Sequence, residues 1–274
     1  MNSVTAAASP MPTAVPATGL LPRAGSVLVV TARPAQEPAD LGGLPYAFRR
    51  AGASLALLCL TRGGASPLDS GWSARLEAIR LWEPQLAAPI LGISRVTVAS
   101  YPDDALQPGV QLAWRVGRAI RQYASDLLLV IDPAAGNPDD TAVAAAACAA
   151  ARQAGVPALA RTAQDVRGAW MIDLGGDAAT ARAVHKSPAA AHASQPEALP
   201  RLLRRLDPLD GREYLRWLVP PPRDATAYKK PATVGYRRAG GRLSRRPRPA
   251  PTPDARAPGR PQDVRCCQPA VTMS

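Results

Sequence analysis

The sequence predicts an α/β chain folded as a three-layer α/β/α sandwich on a mostly parallel sheet. Three observations carry that expectation. Short runs rich in Val, Leu and Ile recur along the chain: SVLVVTA at 26–32, SLALLCLT at 54–61, RVTVAS at 95–100 and DLLLVIDP at 126–133. Segments of helical length separate them, the signature of parallel strands joined by crossover helices. The runs are apolar throughout instead of alternating with polar residues, so both faces of the sheet need cover, which makes the arrangement Rossmann-like.

Each element has its own local reason. After the first strand a Pro-containing loop leads into LGGLPYAFRRAG (41–52), helix-compatible and closed by Gly52. The second strand is followed by SARLEAIRLW (73–82), expected to stop before Pro84. VQLAWRVGRAIRQYA (110–124) precedes the fourth strand, and DDTAVAAAACAAARQAG (139–155) follows it. Its acidic start and terminal Gly155 suit the partial charges and the left-handed exit of a helix. WMIDL (170–174) reads as a further strand, and 177–185, 196–206 and 211–218 as short helices. There is no internal repeat.

Composition sets the limits of this domain. With 47% hydrophobic residues and only 4% aromatics, the core must be built from Ala, Val and Leu. The net charge is +12, yet residues 220–274 hold 12 Lys/Arg against 3 Asp/Glu, together with 11 prolines. Such a segment cannot bury enough surface to order itself. The expected organisation is a disordered segment 1–24, an α/β domain 25–219 and a disordered basic tail 220–274. Within the tail, RRAGGRLSRRPRPAP (237–251) is basic enough for weak, salt-sensitive contact with a polyanion, while its lack of aromatics argues against base stacking. The competing account is a solvated tail with no partner; the same Arg, Pro, Ala and Gly text also arises when a GC-rich gene is read out of frame. No run of about 18 apolar residues suggests a membrane span. The first 25 residues lack the basic start and apolar stretch of a secretory signal, so a cytoplasmic protein is expected. Cys59, Cys148, Cys266 and Cys267 form no CxxC pair. Gly63-Gly64 is too short for a dinucleotide fingerprint.

In an open parallel sheet, ligands bind beyond the carboxyl ends of the strands. The two loops to search are TARPAQEPADLGG (31–43) and DPAAGNPDDTA (132–142). Here the sequence resembles the LmbE/PIG-L family of zinc-dependent N-acetylglucosaminyl deacetylases over about residues 25–218. The family's His-Pro-Asp-Asp-Glu motif, followed by Gly-Gly, aligns with Arg33-Pro34-Ala35-Gln36-Glu37 and Gly42-Gly43. Its His-Pro-Asp-His motif aligns with Asn137-Pro138-Asp139-Asp140. LTRGG (60–64), RLEAIR (75–80), LGIS (91–94), YPDDAL (101–106) and AHASQ (191–195) occur in the family's order.

The resemblance implies a hydrolase of C–N amide bonds, but the residues that would do the work differ. The family-equivalent zinc ligands are Arg33, Gln36 and Asp140, the general base falls on Ala35, and the oxyanion-stabilising His falls on Asn137. Catalytic zinc takes three ligands with free lone pairs and keeps an open water position. A guanidinium has none to give. Without an acidified water or a carboxylate at 35, amide hydrolysis loses both its nucleophile and its base. The expected function is a non-catalytic homologue, a pseudoenzyme that keeps a pocket for an N-acyl amino sugar or a partner, with no cofactor. The alternative is an active N-deacetylase using substitute carboxylates, with zinc as cofactor or an all-oxygen site suited to Mg²⁺ or Ca²⁺. Pocket candidates are Arg33, Gln36, Glu37, Asp139, Asp140 and His192. Arg33 is expected either to face Asp140, Asp139 or Glu37 in place of the metal charge, or to point to solvent. YPDD imitates the first motif, but a turn accounts for Pro102-Asp103. His192 is either on the substrate side or structural.

Overall fold

The computed structural model describes residues 17–41, 43–63, 73–174, 186–194 and 211–222, with 200 and 204. The helix expected at 177–185, nearly all of that at 196–206 and the basic segment 237–251 lie outside them. The elements in order are β1 (Ala17–Thr18), β2 (Ser26–Thr31), α1 (Gln36–Ala39), α2 (Leu44–Arg50), β3 (Ser54–Thr61), α3 (Ser73–Ile90) and β4 (Arg95–Tyr101). They continue with α4 (Val110–Tyr123), β5 (Leu127–Ile131), a 3-10 turn at Pro133–Ala135, α5 (Pro138–Ala154), β6 (Ala158–Thr162), β7 (Trp170–Asp173) and β8 (Arg212–Val219).

The strands form one sheet in the order β1-β7-β8-β6-β5-β2-β3-β4. All described pairings are parallel except those of β8, which lies antiparallel between β6 and β7. Successive residues of a strand face opposite sides, so β2 feeds two cores. Leu28 and Val30 pack with Leu112, Val116 and the alanines of α4 and α5. Val27 and Val29 pack with Leu44 and Phe48 of α2 and with Ala88 of α3. Chain order reverses between β2 and β5, which places the crevice of an open α/β sheet beyond Thr31 and Ile131.

Three elements differ from the sequence expectation. The segment 211–218, expected as a helix, is strand β8: Tyr214 and Leu215 are buried, and its backbone pairs on both sides. Its Tyr, Trp and Val favour a half-buried pleated surface, and burial overrides the helix propensity of Arg, Glu and Leu. α3 does not stop before Pro84 but runs through Pro84 and Pro89 to Ile90. Burial of Ala87, Ala88 and Leu91 offsets the cost of about 3 kcal/mol that an interior proline carries. β6, ALART, carries no strand signal of its own and is held by pairing between β5 and β8. The sheet also starts ahead of residue 25: Ala17–Thr18 pairs with β7, and Leu21 is buried.

Candidate functional site

The loop after β2 is held by one side chain. The Gln36 Oε1 accepts the backbone N–H groups of Ala32 at 2.9 Å and Arg33 at 3.0 Å. Its Nε2 donates to Asp140 Oδ1 at 2.8 Å, from the first turn of α5. The orientation of this amide is fixed by chemistry: turned over, its NH₂ would face two N–H donors. Gln36 and Asp140 are both buried, so the bond clamps the loops of β2 and β5 across the point where strand order reverses.

Ala35, between them, is left-handed with φ 71°. Asn and Asp adopt that conformation more readily than Ala, so this position carries an unusual backbone for its residue type. Asn137 caps α5, its Oδ1 accepting from Asp139 N at 3.0 Å and Asp140 N at 3.2 Å. Asp139 points to the loop after β4, where its carboxylate accepts Asp104 N at 3.0 Å and Leu106 N at 3.1 Å.

Arg33 does not face Asp140, Asp139 or Glu37. Those carboxylates are engaged elsewhere, and the structure pairs its Nη1 with Asp104 Oδ1 at 3.5 Å, an exposed partner. The YPDD loop therefore touches the loops after β2 and β3: Asp104 meets Arg33, and Asp103 accepts Gly63 N at 3.0 Å.

Glu37 and His192 meet below this layer. Glu37 Oε1 lies 2.9 Å from His192 Nε2, with both side chains fully buried, and His192 Nδ1 is 3.7 Å from Glu83 Oε2. Glu83 accepts both the backbone N–H of Ser194 at 2.6 Å and its hydroxyl at 2.7 Å. Arg80 Nε donates to the same hydroxyl at 3.2 Å. Burial works against the charged imidazole, but the bonds to Glu37 and Glu83 outweigh it and hold His192 up to about 9. Burial likewise opposes ionisation of Glu83, and the nearby His192 ring with the two bonds from Ser194 holds its carboxyl below the ordinary range. His192 thus lies buried between two carboxylates, Glu37 and Glu83, that favour its charged form. Burial, with Glu37 nearby, pushes the Cys59 thiol far up. It is inert as a nucleophile.

Sequence reasoning singled out Arg33, Ala35, Gln36, Glu37, Asn137, Asp139, Asp140 and His192 as candidates by motif register. It missed Asp104, Arg80 and Glu83 as contributors. Arg80 and Glu83 stand three apart on α3, hence on one face, which is the signal they carried. It also missed Arg216, whose guanidinium grips Asp132 at 2.8 and 2.6 Å at the end of β5.

The donor set does not fit the zinc that the resemblance implies. Arg33 has no lone pair, and Gln36 turns its NH₂ toward Asp140. Among the described residues, no group of three or more His, Cys, Asp and Glu is placed to hold a metal ion.

Residues 28–151 match the family model described as PIG-L: GlcNAc-PI de-N-acetylase. No curated protein matches the chain. Among solved structures, N,N'-diacetylchitobiose deacetylase from Pyrococcus horikoshii, complexed with an inhibitor, is similar with a TM-score of 0.60 at 16% identity, covering 72% of this chain and 84% of that one. Teicoplanin deacetylase Orf2 in a zinc-inhibited form gives 0.53 at 16% identity, with 73% and 100% covered. The 4-carboxy-2-hydroxymuconate hydratase GalB from Pseudomonas putida gives 0.57 at 18% identity, with 71% and 96% covered. At these identities the likeness is one of fold, and a hydratase among the neighbours illustrates that fold alone does not set chemistry. The family match runs from β2 into α5 and takes in both motif loops, so over residues 28–151 this chain is PIG-L/LmbE-like, a de-N-acetylase-like α/β domain.

Proposed function

We propose that this protein is a PIG-L/LmbE homologue that has given up zinc-dependent hydrolysis and keeps the strand-end crevice as a binding pocket for an N-acyl amino sugar. The observation that carries the reading is the direct bond from Gln36 to Asp140, two family-equivalent ligand positions now satisfying each other. Arg33 stands at the third position as a cation, and no carboxylate remains at Ala35 to take a proton from water. Several carboxylates that a rebuilt site would recruit already have partners: Glu37 Oε1 meets His192, Asp139 accepts two backbone N–H groups and Asp132 holds Arg216.

The test is elemental analysis of the purified chain, together with acetate release from N-acetylglucosaminyl substrates in added zinc. The expected result is an empty protein with no turnover. Arg33→His/Ala35→Asp/Gln36→Asp/Asp140→His is the control that should load metal. Near-stoichiometric zinc or acetate release by the natural chain overturns the proposal. Binding of N-acetylglucosamine, weakened by Arg33→Ala, is the positive expectation for the pocket.

A further inference from the structure

Helix α3 has two faces of opposite chemistry. Its inner face buries Arg80, Glu83, Ala87 and Ala88. Its outward face over residues 78–90 consists of Ala78, Ile79, Trp82, Gln85, Leu86, Pro89 and Ile90, all exposed and none charged. Ile79 is 43% exposed, Trp82 70%, Leu86 61% and Ile90 42%. A surface helix normally turns charged residues to solvent, and a contiguous apolar strip on one marks an interface.

We propose that this face joins two copies of the chain, with the α3 helices antiparallel about a two-fold axis beside Gln85. The order of side chains carries the choice of occupant. A two-fold interface is made by one strip complementing itself. Folded about a point next to Gln85, the strip sets Ile79 against Ile90 of the other copy and Trp82 against Leu86. Gln85 meets its own counterpart, and an amide, with both donors and an acceptor, can bond to a second amide. A charged partner finds no counter-charge here.

The area suits a weak, reversible pair. With roughly 250 Å² for a whole Trp, Trp82 alone offers roughly 175 Å² at its exposure of 70%. With its neighbours the strip supplies roughly 400–500 Å² per copy, so a pair buries close to the roughly 1,000 Å² at which specific interfaces begin.

Sedimentation of the full chain over a wide concentration range reads the association. A monomer–dimer equilibrium is expected, with Trp82→Glu raising the dimer Kd by about 30-fold or more. The register is read by cross-linking in a Cys266→Ser/Cys267→Ser background, which also decides the matter if Trp82→Glu fails to fold. Gln85→Cys is expected to give a covalent dimer on mild oxidation. Ile79→Cys is expected to do so only when combined with Ile90→Cys. A chain monomeric throughout, even if it captures some other molecule on this face, overturns the proposal. So does a dimer unchanged by Trp82→Glu, or one in which Ile79→Cys links as readily as Gln85→Cys.

Discussion

His192 shows how a single buried residue couples the site to pH. An imidazole raised from its ordinary value to about 9 binds its proton more tightly folded than unfolded. Its contribution is therefore fully present below about pH 6.5 and is lost as pH rises through about 9. By linkage the full effect is of the order of 3 kcal/mol. Denaturant unfolding at several pH values is expected to show stability falling between neutral and alkaline pH, with a shallower fall in His192→Gln. Equal slopes in the two proteins would contradict a charged His192. At this scale the motif register was a good guide, because positions at strand ends are fixed by the strands. Ala35, Gln36, Asn137 and Asp140 sit where that register puts them. The partner of Arg33 was not legible, since Asp104 comes from another loop and spacing says nothing about which loops meet.

Among the elements, α5 is the one whose sequence states its own limits. Asn137 accepts two N–H groups, Pro138 starts the first turn, Asp139 and Asp140 complement the positive end, and Gly155 closes it left-handed. Asn137→Ala is expected to cost about 1 kcal/mol through loss of the cap. Because the cap also sets the direction of Asp140, the same variant should loosen the clamp to Gln36. Hydrogen exchange at the Ala32 and Arg33 amides would report this as faster exchange, and unchanged protection would separate the cap from the clamp. Long apolar runs such as β2, β3 and β5 were legible for the same reason: burial on both faces leaves no alternative pattern. β8 and the second half of α3 were not, because there tertiary packing outweighs a local preference that favours the other answer.

At the largest scale the described residues form one sheet between two cores, and its parallel centre was evident from strand-helix alternation alone. Its far side was not. β8 enters antiparallel and is the only link between β6 and the pair formed by β7 and β1 among the described strands. A chain ending before Arg212 should keep β2 to β6 yet leave the β6 edge bare. Such a truncation is expected to lose a cooperative unfolding transition and to bind a hydrophobic dye, whereas a truncation after Pro222 should do neither. The same topology fixes an order of events during translation. β1 joins the sheet through β7, and β7 joins through β8, so the first strand made is among the last to find its place. At about 5–20 residues per second, roughly 10–40 s separate synthesis of β1 from that of β8. Through that interval β1 has no partner strand to join, so among the described strands it is the one whose backbone groups wait longest for their sheet bonds.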